Sequence, residues 1–361
     1  ATMAATDGQG ATITLERQAA EGLAADLLVA ARVPQADAAI AARCLVRADL
    51  RGVDTHGMVR LPGYLDRIAR GLVDPAPALV FETVAPAAAR LDGQNGLGFV
   101  VASRAVDHGI AMARQMGLGL IGVRNSTHFG MAANYLLQAI EAGFAAMVYT
   151  NASPAMPPWG GRAEMFGTSP FAVGVPAPGS VPFVLDMAPS VVARGKIRKA
   201  AREGRPIPEG WALDAAGRDT TDAQAAMAGG VLLPIGGPKG AGMSMMMDIL
   251  CGVLTGARYG GEVGDQYKRF DRPQGVGHFI LVMRPDLFLP ADEIAARMGD
   301  LVTRVKANPL AEGADQIFMP GEIETLREAE RLAHGIPYRR DDLAPLVDLA
   351  RAGGISLPHG L

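Results

Sequence analysis

Apolar residues recur at three- and four-residue spacing near both ends of the chain, while the middle is cut by glycines into short β-rich runs. That texture constrains the fold more than any single motif. "LERQAAEGLAADLLVAAR" and "QADAAIAARCLVRADLRG" predict two Ala/Leu-rich helices, with Thr14 as a cap for the first. "RGVDTHGMVRLPGY" (51–64) predicts a further helical stretch to about Arg70, and "GLVDPAPALV" breaks it with Gly and Pro. From about residue 79 the runs "LVFETV", "LGLIGVRNS", "FAAMVYTN", "FAVGVP", "PFVLDMA" and "GHFILVMRP" alternate with helices at "GFVVASRAVDHGIAMARQMG", "MAANYLLQAIEAG" and "SVVARGKIRKAAREGRPIP". Helices return in "GEIETLREAERLAHG" and "DDLAPLVDLARAGG". The expectation is an α/β (α+β) chain: a helical domain from 12–78 with 320–361, a mixed α/β domain at 79–319, and a loose tail at 1–11.

Composition narrows the function classes. Hydrophobic residues are 49% and charged residues 20% of 361, enough for a packed core. A net charge of −3 with interspersed signs argues against a nucleic-acid or membrane-surface partner. Cys44 and Cys251 lie in apolar helical patterns without a C-x-x-C, so neither a disulfide framework nor a thiolate metal site is expected. The apolar helix around Cys251 carries Asp248 and is too short for a bilayer. With no signal-peptide pattern evident, the cytoplasm is the expected compartment.

Two glycine clusters compete for a dinucleotide. "GLGLIG" (117–122) matches G-x-G-x-x-G by letter, but a helix precedes it and a strand follows, the reverse of a Rossmann phosphate loop. Gly117 is expected to end the helix as a C-cap. "PIGGPKGAG" (234–242) does feed a helix. Its glycines permit close approach, helix-start amides attract anions, and Lys239 adds a charge; a plain turn with a solvated lysine explains the same letters.

Five residues could carry chemistry. On a continuous helix His56, Arg60 and Tyr64 share one stripe. An arginine grips a carboxylate bidentately and a histidine exchanges a proton near neutral pH, the pair that an acid with an adjoining carbonyl requires. The competing reading is a surface arginine and a packed histidine. His128 sits at a strand-to-helix turn, where Ser126 or Thr127 could instead be capping. Asp186 ends an apolar strand, placed to orient a histidine, bind a ribose, or cap the next helix. No metal-ligand spacing and no G-x-S-x-G elbow is present.

Taken together the segments resemble the type-2 malate/L-lactate dehydrogenases, a family that includes ureidoglycolate, sulfolactate and diketogulonate enzymes and cyclic-imine carboxylate reductases. The stretches carrying the resemblance are "RADLRGVDTHGMVRLPGY", "LDGQNGLG", "VRNSTHFGMAANY", "YTNASPAMPPWGG", "GTSPFAVGVP", "VLDMAPSVVARGK", "LLPIGGPKGAGMSMMMDILCGVLTGA" and "MPGE", in family order over residues 12 to 355. The resemblance implies a non-Rossmann nicotinamide-binding domain with a mixed sheet, and a helical substrate and dimerisation domain. It implies a homodimer with the site near the subunit interface. It makes His56 of Thr55-His56-Gly57 the proton donor or acceptor, Arg60 the carboxylate clamp, Tyr64 a pocket residue, His128 a second active-site histidine and Asp186 the acid beside them. NAD or NADP contacts are implied at Thr150, Asn151 and Ser153, at Asp186, Met187 and Ala188, at Gly236, Gly237 and Lys239, and at Pro320, Gly321 and Glu322. Thr55 stands where relatives often have serine and adds a methyl to the pocket.

The expected activity is interconversion of a small 2-hydroxy acid and its 2-oxo acid by NAD(P), with a small carboxylate as partner and no metal. Two alternatives stay open: reduction of a cyclic C=N beside a carboxylate, and a dinucleotide-binding protein without catalysis. "ARGKIRKAAREGR" is basic enough to meet a 2′-phosphate but also reads as a solvated helix face.

Overall fold

The computed structural model describes residues 12–361, and the tail expected at 1–11 lies outside the described residues. The chain divides into two compact units, residues 12–71 with Ile323–Leu361, and Leu72–Glu322.

In the first unit, helices α1 (Arg17–Ala30) and α2 (Gln35–Leu50) bury stripes spaced three and four residues apart, Ala20-Leu23-Ala24-Leu27 and Ala38-Ala41-Ala42-Leu45. Each leucine fully removed from water contributes about 1.5–3 kcal/mol, and the small alanines let the helices approach closely. Thr14 is not the cap of α1. It belongs to the strand Thr12–Leu15, which pairs antiparallel with Ile336–Arg339, and Glu16 occupies the N-cap position without a side-chain bond. That strand pair fastens the front of the described chain to its end. The helix Arg340–Ala352 buries Leu343, Leu346, Val347 and Ala350. The ion pair of buried Arg51 with Glu328 (2.7 Å) joins α2 to the helix Glu322–His334.

The expected helix through residues 51–70 is not continuous. Asp54–His56 and Met58–Arg60 are separate 3₁₀ turns, and α3 begins only at Leu61 and ends at Ala69. The break is at Gly57, which is extended (φ −94°, ψ −148°).

The second unit is built on a seven-stranded sheet. Its strands are β1 (Phe81–Ala85), β2 (Ala88–Asp92), β3 (Leu118–Ser126), β4 (Ala145–Thr150), β5 (Phe171–Val175), β6 (Phe183–Met187) and β7 (Val276–Met283). Their order is β1-β2-β3-β7-β4-β5-β6. Only β2 and β3 run parallel; the other neighbours are antiparallel. Helix α4 (Gly98–Met116) covers β3 and β7, and it sits close because Gly109 leaves no Cβ to strike Val282. It ends at Gly117 in the left-handed region (φ 86°), and β3 starts at Leu118. The helix–glycine–strand order read from "GLGLIG" is therefore the order in the fold. Helix α5 (Ala133–Glu141) packs over β4 and β5. A satellite core of Met156, Ile197, Ala212 and Leu232 lies under the basic helix α6 (Arg194–Arg202). Helix α7 (Pro238–Asp248) follows the second glycine cluster and runs on into a π-helical turn, Ile249–Val253. Among the described residues, no helix is long and apolar enough to cross a membrane.

Candidate active site

In the first unit the segment Thr55–Tyr64 is shaped by a residue that sequence reasoning passed over. Asp49, near the end of α2, is 2% exposed. Its Oδ2 accepts the backbone N–H of Met58 (2.9 Å) and the hydroxyl of Tyr338 (2.8 Å). Burial pushes its carboxyl up to about 7, against the hydrogen bonds from Met58 and Tyr338 that favour the charge. A Cβ on Gly57 would fall 1.7 Å from Asp49 Oδ1, so the glycine of Thr-His-Gly is required by the carboxylate behind it. The available signal was an acid inside an otherwise apolar helical stripe.

His56 and Arg60 are neighbours without sharing a helix. Arg60 Nε donates to the carbonyl of Thr55, and the Thr55 hydroxyl lies 3.0 Å from His56 Nδ1. Burial, and then the Arg60 guanidinium, push the His56 imidazole down to about 4. The ring is therefore neutral near pH 7. Tyr64, on α3, is buried, and desolvation raises its phenol despite the opposing pull of Arg60. Arg60 is thus the charged group felt by both His56 and Tyr64.

In the second unit the segment Ser126–His128 leaves the end of β3. Thr127 does cap a helix, but not the one that follows it: its hydroxyl accepts the N–H of Gly98 at the start of α4 (2.8 Å) and donates to the Gly96 carbonyl. The position before α5 is Ala132, without a side-chain cap. The His128 N–H donates to Gln274 Oε1 (3.1 Å), and its Nδ1 accepts the N–H of Gly130 (3.3 Å), which puts the proton of the neutral ring on Nε2. The helix that follows Asp186 begins at Arg194, with Ala193 at its N-cap position and no side-chain cap bond. From β6 the Asp186 Oδ2 accepts the N–H of Ala133 (2.8 Å), the first residue of α5, where the helix dipole favours a negative charge.

The residues read as cofactor contacts fall into two groups. Thr150 and Asn151 are buried, and their side chains are engaged inside the protein. Thr150 Oγ1 lies 3.1 Å from the carbonyls of Asn151 and Gly277, while the Asn151 amide bonds to Gly277 N–H (2.9 Å) and the Arg258 carbonyl (2.7 Å). Ser153 is half-buried and has surface to offer. Asp186, Met187 and Ala188 are half-buried as well. The Pro320-Gly321 turn is zipped onto β6 through the Pro320 carbonyl and Val184 N–H (3.1 Å); Gly321, at φ 85°, would strike Val184 with any Cβ. Glu322 is turned inward, holding Met319 N–H (2.8 Å) and Lys306 (2.6 Å).

The glycine loop is tighter than its sequence suggests. Gly236 and Gly237 adopt positive φ (60° and 63°), and Pro238 opens α7 where an N–H has no helical partner. The amides of Gly237, Lys239, Gly240 and Ala241 donate to carbonyls of Pro234, Gly236, Ile235 and Gly237. The helix-start amides are therefore mostly engaged by the loop itself, and exposed Lys239 is the charged group it offers to an anion.

This donor set suits a dinucleotide: an exposed lysine for a phosphate, a carboxylate and a serine for hydroxyls, and glycines that leave room for a close backbone. Among the described residues, no group of three or more His, Cys, Asp and Glu is placed to hold a metal ion.

Comparison with known proteins adds a second line of observation. The family model described as malate/L-lactate dehydrogenase matches residues 15–347. The malate dehydrogenase of Pyrococcus abyssi is 37% identical over 89% of this chain and 90% of its own. The (2R)-3-sulfolactate dehydrogenase (NADP(+)) of Chromohalobacter salexigens is 40% identical over 74% of this chain and 80% of its own. A Δ1-pyrroline-2-carboxylate/Δ1-piperideine-2-carboxylate reductase of Pseudomonas syringae pv. tomato is 34% identical over 88% and 90%. Among solved structures, the sulfolactate dehydrogenase of Methanocaldococcus jannaschii superposes with a TM-score of 0.90 at 33% identity, covering 96% of this chain and 98% of that one.

Proposed function

Given that the chain belongs to the malate/L-lactate dehydrogenase family and is an oxidoreductase of CH–OH groups, we propose that it interconverts a small 2-hydroxy acid and its 2-oxo acid with NAD or NADP, using His56 for the proton and Arg60 for the carboxylate. Family membership sets aside the non-catalytic dinucleotide-binding alternative. The observation that carries the proposal is the local pair itself: an imidazole whose proton affinity is lowered by burial and then by the guanidinium of Arg60, which is held through the carbonyl of Thr55.

The roles follow from the chemistry of these groups. Arg60 binds the substrate carboxylate with parallel hydrogen bonds and so fixes which face of the neighbouring carbon is presented. In oxidation, neutral His56 takes the hydroxyl proton as the C–H bond gives up its hydride. In reduction the imidazolium returns that proton to the developing alkoxide. Burial and Arg60 depress the free histidine, and an arriving carboxylate offsets the second of these causes, raising the ring toward its protonated state when the oxo acid is bound. Tyr64 closes the apolar side, and the extra methyl of Thr55 narrows the pocket. His128, held by Gln274 and Gly130, hydrogen-bonds the substrate, with Asp186 as the neighbouring acid. The bound nicotinamide supplies the hydride chemistry; Ser153, Asp186 to Ala188, Gly236, Gly237, Lys239 and the Pro320–Glu322 turn are the residues that would hold it, with Thr150 and Asn151 supporting them from within. In this reading the nicotinamide-binding domain is the mixed-sheet unit rather than a Rossmann fold, and the helical unit carries the substrate groups. The proposed assembly is a homodimer in the cytoplasm. Exposed Met245, Met246, Ile249 and Val253, on one side of α7 and its π-helical extension, give a dimer an apolar face to cover.

A second reading keeps the residues and changes the bond. The similarity to a cyclic-imine carboxylate reductase favours a C=N beside a carboxylate, which Arg60 would grip in the same way. Following NAD(P)H absorbance with a panel of 2-oxo acids and cyclic imino acids, each with both cofactors, decides between them. Turnover of one or more oxo acids is expected, and activity confined to imino acids rejects the first reading. The same panel reads whether the basic face of α6 confers a preference for the 2′-phosphate.

A further inference from the structure

His278 is a fully buried titratable group that the proposed chemistry does not use. It lies on central strand β7, in the core-facing row with Ile280 and Val282, and is 0% exposed. Both ring nitrogens are occupied: Nδ1 lies 2.8 Å from Thr150 Oγ1 and Nε2 lies 2.7 Å from Ser126 Oγ. The ring also stacks on Phe129, with centroids 4.8 Å apart and planes 13° apart. One imidazole therefore spans from the last residue of β3 to the last residue of β4, across the strand between them. The first leads directly into Thr127-His128, and the second opens the segment Thr150–Ser153 read as cofactor-holding.

The carbonyls beside Thr150 favour one direction for these bonds. A threonine hydroxyl has one proton, and that of Thr150 has backbone carbonyls of Asn151 and Gly277 at 3.1 Å. With its proton given to a carbonyl, Thr150 Oγ1 accepts from the ring, so Nδ1 carries the hydrogen. Nε2 is then an acceptor and takes the Ser126 hydroxyl proton; the Thr127 carbonyl stands farther from that hydroxyl, at 3.5 Å. Burial pushes the imidazole down to about 3, so the ring stays neutral and the pattern holds throughout the working pH range.

We propose that His278 is a positioning residue, a neutral Nδ1–H imidazole that sets the spacing of the His128 turn and the Thr150–Ser153 segment by bonding Ser126 and Thr150 at once. It cannot touch a ligand itself, because it has no exposed surface. The functional consequence rests on the roles given above to His128 and Thr150–Ser153. The tautomer does not, and it is testable without any substrate.

The experiment compares wild type, His278→Asn and His278→Phe. The asparagine amide reaches the Nδ1 position and keeps the bond to Thr150 while losing Ser126. The phenylalanine keeps the stack on Phe129 and loses both bonds. H278N is expected to hold its NAD(P)H dissociation constant within about three-fold of wild type while kcat falls roughly ten-fold. H278F is expected to lose roughly ten-fold in both, the size of one unmade buried hydrogen bond for each. Wild-type kcat and cofactor affinity in folded H278F overturn the proposal. So does an equal loss of both quantities in H278N and H278F, which is the mark of a merely structural role. Should H278F fail to fold, ¹⁵N NMR of the wild-type histidines decides, with the His278 signals assigned from their change in Ser126→Ala. Protonated Nδ1 with bare Nε2 supports the proposal, and protonated Nε2 or a charged ring rejects it. A wild-type protein that neither binds NAD(P)H nor turns over any substrate defeats the functional reading instead and leaves the NMR result standing.

Discussion

The two units hold their candidate functional residues in different ways. In the first, His56 and Arg60 ride on two short 3₁₀ turns separated by an extended glycine, and the turns are held from behind by a single buried carboxylate. In the second, the His128 turn, the Thr150 segment and Asp186 hang from the ends of neighbouring strands and are cross-bonded by His278, Gln274 and the first amide of α5. Short turns with few internal hydrogen bonds reshape at low cost, whereas strand ends in a buried ladder do not. The difference teaches where variation is cheap. The substrate pocket proposed on the Thr55–Tyr64 segment can change shape by substitutions that leave the proposed cofactor residues untouched. That agrees with a family whose members are named for malate, sulfolactate and cyclic imino acids.

The contrast can be broken by substitutions, the largest first. His56→Ala should lower kcat by about 100- to 10,000-fold, the usual range for a lost acid–base group, while the cofactor dissociation constant measured by fluorescence stays within about three-fold of wild type. A parallel loss of cofactor affinity would mean that the two regions are not separable.

Asp49→Asn tests whether one carboxylate holds the first region. Burial keeps Asp49 at about 7 in the fold, against an ordinary 3.8, so the folded state retains a proton that the unfolded chain has released. Stability therefore falls as pH rises from about 4 to 7, by at most about 4 kcal/mol. His56 acts in the opposite sense. Held near 4 against an ordinary 6.5, it is neutral in the fold where the unfolded ring is charged, and stability rises with pH from about 4 to 6.5. Because the Met58 and Tyr338 hydrogen bonds both fall on Oδ2, an asparagine oxygen can accept them. The variant should thus lose the descending slope, and denaturant unfolding across that window should show a steeper rise with pH than wild type. Identical pH slopes would show that Asp49 is ionised in the fold.

Gly57→Ala should cost about 2–3 kcal/mol, because its methyl must displace Asp49 Oδ1 and with it the Met58 and Tyr338 bonds. In the double variant with Asp49→Ala most of that cost should vanish; purely additive costs would place the strain elsewhere. The smallest effect is expected for Thr55→Ala, which loses the hydroxyl beside His56 Nδ1, about 1 kcal/mol or a several-fold change in kcat, with Thr55→Ser near wild type.

What could be read from the sequence follows the range of the forces involved. Gly117 was legible because a helix ending in a left-handed glycine is a local event, and so were the apolar stripes of α1 and α2. A continuous 51–70 helix is the wrong expectation because the break at Gly57 is held by Asp49, which accepts the Met58 N–H and leaves no room for a Cβ, and a spacing of four residues says nothing of what stands behind it. Arg60 still meets His56, through the Thr55 carbonyl rather than a shared helical face. Thr14 was drawn into a strand by a partner at the other end of the chain. Asp49 and His278 were missed for the same reason. A buried polar group is explained only by its partners, and theirs lie 289 positions away at Tyr338, and 152 and 128 away at Ser126 and Thr150.

The central claim is that Arg60 grips the carboxylate next to the carbon that is reduced. It is tested most directly by measuring kcat/KM of wild type and Arg60→Ala on a 2-oxo acid and on the matching 2-oxo amide. If Arg60 is the clamp, the variant loses about 100-fold on the acid and changes little on the amide, a coupling of roughly 2–3 kcal/mol typical of hydrogen bonds to a charged group. An equal loss on both substrates would contradict it.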